Sequence, residues 1–212
     1  MTSPWTSPWA TARNVRRIAR PNASSGAHRI GTWFVAASLA LMGTAAAQTI
    51  TVNGVIDATI DGEARHWTTL YVTDVEDGPQ STATFYPVMM NMVDMTVQGH
   101  VTEDGFRVAG ALSITAMLMN GVPSGCPCPV PDPEIMWFSG TSMFEDVYQS
   151  IEAEVVLDEV EPVGDDAWRV RGTFRGVLAY LESVYDEPDE SRTVTIEGTF
   201  TVDPMILDSA EE

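Results

Sequence analysis

The chain contains no lysine. Its 11 basic residues are all arginine, and 30 Asp and Glu outnumber them to give a net charge of −19. Five of the arginines (Arg13, Arg16, Arg17, Arg20, Arg29) precede Gln48 and no acidic residue does, so residues 48–212 balance six arginines against 30 carboxylates, a net −24. A domain of that sign repels nucleic-acid phosphate and anionic membrane surfaces, which counts against both as partners. Histidine is also scarce, with only His66 and His100 after Gln48. No Gly-x-Ser-x-Gly elbow surrounds Ser113, Ser124, Ser139 or Ser142, so nothing marks a serine nucleophile. Carboxylates are so numerous that coincidence would supply an acid and nucleophile pair of glycosidase type anywhere, and no catalytic residue is assigned.

A long hydrophobic run is missing as well. The most apolar stretch, Ile30 to Met42, falls short of the roughly 20 residues a membrane span needs. It follows a basic segment and precedes Ala45-Ala46-Ala47, the order of a secretory signal peptide. The expected organisation is a signal peptide over 1–47 cleaved near Ala47, a domain over 48–204, and an acidic tail over 205–212. Export to the periplasm or the extracellular space follows, with no stable transmembrane anchor after cleavage. No Cys follows the apolar run, so lipid attachment there is not indicated.

What is present is alternation. Val170-Arg171-Gly172-Thr173-Phe174 returns as Ile196-Glu197-Gly198-Thr199-Phe200, and a period of two puts the apolar members of each copy on one face of a strand. The acidic stretch Asp186 to Glu190 between them reads as a loop, making a hairpin of 167–181 with 192–203. Ile151 to Leu157 alternates too. Pairing it with the first hairpin strand across a loop of 158–166 sets Val155 opposite Val170 and Glu154 opposite Arg171. Further strands are expected at Thr49 to Ile60, His66 to Val72, Ser81 to Tyr86, Val88 to Gln98, Arg107 to Met119 and Glu134 to Ser139, with a tight turn at Asp61-Gly62 and a helical turn within 141–149. The proline-rich run Asn120 to Pro133 is a loop. The fold class is all-β: one antiparallel sandwich or flattened meander barrel of about 8–10 strands.

Three features carry possible chemistry. Cys126-Pro127-Cys128 holds the only two cysteines, and export favours their oxidation to a disulfide that clips the loop. Met89, Met90, Met92 and Met95, with Met117, Met119, Met136 and Met143 further on, supply soft thioethers. Together with Cys126, Cys128 and His100 they form an alternative site for copper, although alternation along one strand separates Met90 and Met92 from Met89 and Met95. The acidic stretches Asp74-Val75-Glu76-Asp77, Asp158-Glu159-Val160-Glu161 and Asp186 to Glu190 suggest calcium, with Asp74, Glu76, Asp77, Asp186 and Asp189 as candidate ligands, but none has the spacing of an EF-hand loop. Solvated surface accounts for the same residues without a metal. Aromatic side chains including Trp67, Trp137, Phe144, Tyr148, Trp168 and Tyr180 offer a platform for a sugar or a partner surface if they are exposed.

The functional expectation is a non-enzymatic exported module that binds an unidentified protein or small molecule, or that belongs to the cell envelope. Soft-metal or redox handling at Cys126-Pro127-Cys128 and calcium binding are the alternatives.

Overall fold

In the computed structural model, which describes residues 49–73, 80–103, 105–141, 145–184 and 186–208, the two Gly-Thr-Phe phrases pair with each other. They lie on β10 (Ala167–Ser183) and β11 (Asp189–Leu207), antiparallel, with Gly172 opposite Phe200, Thr173 opposite Thr199 and Phe174 opposite Gly198. Val170, Phe174, Leu178, Ile196, Phe200 and Val202 are buried on the inner face, and Arg169, Arg171 and Arg175 are exposed on the outer one. Alternation alone predicts that division, and it continues to Leu181, which shares the outward parity of the arginines and is buried in a second small cluster with Ala111, Phe138 and Val147.

The remaining strands extend this hairpin into a ring. They are β1 (Thr49–Ile60), β2 (Glu63–Thr73), β3 (Gln80–Ser81), β4 (Ala83–Met89), β5 (Met92–Gly99), β6 (Leu112–Leu118), β7 (Cys128–Pro129), β8 (Glu134–Phe138) and β9 (Glu145–Pro162). Antiparallel neighbours run β1, β2, then across the Thr68–His100 bridge to β5, and on through β6, β8, β9, β10 and β11 back to β1. An even number of strands, eight, lets such a circuit close with every pair antiparallel, the β2–β5 step being the single Thr68–His100 bridge. The short β3 pairs with β2 and β4 pairs with β5, so the chain turns a corner at Thr82 inside the fork where β2 and β5 separate. Thr82 holds that corner from both sides: its N–H donates to the Leu70 carbonyl, its Oγ1 accepts from the Leu70 N–H, and its carbonyl accepts from Gln98. The far side of β4 meets the end of β11 in a short parallel contact, Thr84 with Ile206 and Phe85 with Leu207. The flattened meander barrel is therefore the form the all-β fold takes, with eleven strands among the described residues, of which β3 and β7 are two residues long.

The ring encloses one main core built on Ile56, Trp67, Phe85, Met95, Ile114, Ile135, Leu157, Leu178 and Phe200. A separate group of Ala111, Phe138, Val147 and Leu181 is packed by Val108, Met136 and Val184. Leu181, Val147 and Phe138 lie in one cross-strand row, and Tyr180, Tyr148 and Trp137 lie in the adjacent row on the other face.

Several local expectations are corrected. No loop occupies 158–166: β9 continues through Asp158-Glu159-Val160-Glu161 to Pro162, and the reversal is confined to the few residues before Ala167, where Val163 donates to the Ala167 carbonyl. The longer strand slides the register, so Val155 faces Phe174, Glu154 faces Arg175, and Val170 and Arg171 face Val160 and Glu159. Ile151, expected inside, is exposed because a bulge between Ser150 and Glu152 leaves it without a partner on β10. Within 141–149 the described residues from Glu145 are strand. Pro87 lies within β4, where it tolerates the missing N–H beside a register shift, and the break comes instead at Met90-Asn91. Residues 107–111 precede β6 and only Leu112–Leu118 is strand. At the other end, Met205 is fully buried and β11 runs to Leu207, so 205–207 belong to the barrel and not to an acidic tail. The expected signal peptide lies outside the described residues.

Candidate functional site

The outer face of the sheet formed by β9, β10, β11, β1 and β2 is concave. Its floor consists of two cross-strand rows set by the register: Glu154, Arg175, Glu197, Thr59 and Ala64 in one, and Val156, Thr173, Thr199, Asp57 and His66 in the next. Apart from His66 these residues line a trough of about 800 Å³, which runs on past Glu152, Val177 and Thr195 into a second hollow of about 570 Å³. Thr59, Glu154, Arg175 and Glu197 line both.

Charges of both signs stand in this trough. The Arg175 guanidinium donates to Glu154 Oε2 from Nε at 2.9 Å and from Nη2 at 2.5 Å. At the trough's edge Asp57 Oδ1 lies 2.7 Å from His66 Nδ1, while Arg65, paired with the inward Ala58, turns away from the trough and lies 3.1 Å from Glu63 Oε2. Outside the trough the same face continues the pattern, with Arg171 bound to Glu159, and Arg169 held between Asp203 at 2.7 Å and Glu161 at 3.6 Å. Asp203 raises the Arg169 guanidinium further above its ordinary value by hydrogen bond and charge. The β1–β2 turn at one end of the trough is pinned to β11: Asp61 Oδ1 accepts from both the N–H and the hydroxyl of Thr195. Asp61 and Gly62 both take left-handed backbone angles, φ 49° and 82°, as an Asp-Gly hairpin turn requires.

The residues singled out from the sequence are dispersed. Cys126 and Cys128 close a disulfide with Cα atoms 4.6 Å apart, and both pack against the main core while Cys128 pairs with Leu157. With both sulfurs in that bond, neither is a free thiolate in this structure. His100 lies apart from the β4–β5 methionines. It stands at the opposite end of β5 from Met92, eight residues away, or roughly 26 Å at the ~3.3 Å rise of a strand. Its ring is buried, with Nδ1 2.8 Å from the Arg107 carbonyl and Phe106 edge-on against it.

The calcium candidates divide. Asp74, Glu76 and Asp77 lie outside the described residues. Asp189 Oδ1 accepts from the Ser191 hydroxyl at 2.6 Å and the Ser191 N–H at 3.0 Å, and these two bonds hold its carboxyl below the usual aspartate range. The Asp186 N–H donates to the Ser183 carbonyl. Among the described residues no three His, Cys, Asp or Glu side chains are grouped to hold a metal ion. Of the aromatic residues, Trp67 is core, with Nε1 2.6 Å from the Gly110 carbonyl, and Trp168 packs edge-on against Phe85. Phe144 lies outside the described residues. Trp137 stacks on Tyr148, which meets Tyr180 edge-on, and Arg65 and Arg192 cover the faces of Trp137 and Tyr180. These rings satisfy one another, so they do not form an open platform.

Sequence reasoning passed over the trough because each of its residues looks like ordinary solvent-facing alternation. The available signal was the outward set of the doubled phrase: Thr173, Arg175, Thr195, Glu197 and Thr199. Comparison with known proteins adds no identity: no family model, no curated protein and no solved structure matches the chain.

Proposed function

We propose that the chain is an exported, non-enzymatic binding domain whose ligand lies along the trough of β9, β10, β11 and β1. The trough itself carries this reading, since its two rows of threonine, carboxylate and guanidinium present donors and acceptors side by side across four strands. An extended, uncharged, hydroxyl-rich chain such as an oligosaccharide matches that alternation, because each hydroxyl both donates and accepts. A polyanion does not, given the −24 balance of residues 48–212. The paired strands under the trough set the spacing of its backbone, and the Arg175–Glu154 hydrogen bonds orient those two side chains before any ligand arrives, which lowers the ordering cost of binding.

The binding half of the proposal is tested by titrating isotope-labelled protein with neutral cello-, chito- and manno-oligosaccharides and following amide shifts. Movement centred on Thr59, Thr173, Arg175, Glu197 and Thr199, weakened in Arg175→Ala and Thr199→Val, is expected. Shifts centred elsewhere, or none with any of the three sugars, reject it. The export half is tested separately by expressing the full chain and sequencing the N-terminus of exported protein. A mature start at Gln48 is expected; retention of the uncut chain in the cytoplasm rejects export without touching the trough.

A further inference from the structure

The methionines that the sequence scatters are gathered by the fold at one tip of the barrel. β4 and β5 form a hairpin that turns at Met90-Asn91, with Met90 at φ 46°, and Met89 is the direct partner of Met92. Direct partners in an antiparallel pair share a face. Val93 and Leu118, paired across β5 and β6, are both buried, so the residues just beyond them, Met92 and Met119, follow on the outer face. The end of β6 is close to the turn: a Cβ on Gly121 would lie 3.9 Å from the Asn91 carbonyl oxygen. Met117, opposite Asp94, occupies the same outer face one row along.

Packing does not account for this group. Met89 and Met119 are 60% and 57% exposed and Met90 is fully exposed, whereas the core methionines Met95 and Met205 are buried completely. A purely apolar docking patch is disfavoured as well, because the half-buried carboxylate of Asp94 stands among these side chains and would have to be covered with them. We propose that Met89, Met92 and Met119 form a binding site for a soft monovalent cation, Cu(I) by chemistry. Side chains on adjacent strands start about 4.5–5.5 Å apart at Cβ, and the rotatable thioether arms span that separation to a common centre. Neutral thioethers select Cu(I) over calcium, magnesium or zinc, which take oxygen, imidazole or thiolate ligands. The site uses neither cysteine nor histidine and is separate from the trough.

Ag(I) serves as a redox-inert probe of the same softness. In full-length oxidised protein labelled at the methionine methyls, one equivalent of Ag(I) is expected to shift Met89, Met92 and Met119 while Met95 and Met205 stay in place. The double substitution Met92→Leu with Met119→Leu keeps volume and apolarity, so a hydrophobic surface would survive it. For a thioether site it should weaken Ag(I) by on the order of 10–100-fold or more, at least the loss that outer-shell substitutions cause in other metal sites. Met90→Leu should change little. Undiminished affinity in the double variant overturns the proposal, as does a shift pattern centred on other methionines. Loss of binding in Cys126→Ser with Cys128→Ser places the ion on the cysteine sulfurs and overturns it too. The wild-type methyl shifts decide the matter by themselves if a variant fails to fold.

Discussion

Phe200 lies directly across from Gly172, and its Cζ is 2.5 Å from where a Cβ on Gly172 would stand. The ring fills the space that a side chain on β10 would otherwise take, and so the repeated Gly-Thr-Phe phrase is a packing device in which aromatic and glycine interlock across the hairpin. Gly198 serves the opposite neighbour: a Cβ there would meet the Ala58 methyl and the Asp57 carbonyl, each at 2.5 Å.

Gly172→Ala forces the Phe200 ring or the Val156 backbone oxygen, 2.8 Å away, to move. Overpacking of this kind costs about 1–3 kcal/mol. Phe200→Ala empties the same space and should cost about 3–5 kcal/mol. By contrast, Gly164→Ala meets nothing nearer than the Ala167 methyl at 3.8 Å and should stay within about 0.5 kcal/mol of wild type. Chemical denaturation of the three variants checks the order, and a Gly172→Ala protein as stable as wild type refutes the interlock.

The Arg171–Glu159 pair tests the corrected register. A double-mutant cycle with Arg171→Met and Glu159→Gln should show coupling of about 0.2–1 kcal/mol that shrinks as salt is added. The same cycle between Arg171 and Glu154 should show none, because Glu154 bonds Arg175. Coupling to Glu154 and not Glu159 would restore the register expected from a 158–166 loop.

The hairpin, the inward and outward faces of β10, β11 and of β1 beyond Gly54, and the Asp61-Gly62 turn were legible because each is fixed by neighbours within a few residues; before Gly54 a bulge turns Val52 outward and Asn53 inward, against plain alternation. The β9 register was not legible. Alternation allows any even slip, and the choice among slips was made by the length of the β9–β10 connection, which depends on Asp158 to Glu161 being strand despite their charge. Those carboxylates are tolerated there because they face water on the outer side or meet Arg169 and Arg171. The trough, and which of the candidate methionines meet, were hidden for a related reason. Both depend on side chains from several strands that become neighbours only when the ring closes, and reading Val88 to Gln98 as one strand set Met89 apart from Met92.

The charge imbalance makes ionic strength a stability variable. With −24 on residues 48–212, like charges repel across the surface, and salt screens them over a Debye length of about 10 Å at 0.1 M. Melting temperature should rise with NaCl in the sub-molar range. Calcium at equal ionic strength gives the sharper comparison: a site on the acidic loops would add stability as RT ln(1 + [L]/Kd), so a larger rise with CaCl₂ supports calcium binding and an equal rise leaves screening alone.

Tyr180 provides the pH test. Its hydroxyl donates to Asp146 Oδ1 at 2.6 Å, and the Arg192 guanidinium lies 3.5 Å from the ring centre. The bond to Asp146 holds the phenol above its ordinary value near 10, burial adds to this, and Arg192 works against it. A phenol whose folded value exceeds its unfolded one stabilises the fold fully below the unfolded value, and that contribution disappears as pH rises through the folded value. Ultraviolet titration of tyrosinate should therefore show one late step that is missing in Tyr180→Phe. The melting-temperature gap between wild type and Tyr180→Phe should be constant through neutral pH and narrow only above about pH 10, where the unfolded phenol begins to ionise. Asp146→Asn should keep the hydrogen bond while removing the charge, so the late step moves down toward the ordinary value without vanishing. A gap that already narrows between pH 6 and 8 would mean that some other group governs it, and the Tyr180–Asp146 bond would then not be the source of the stability.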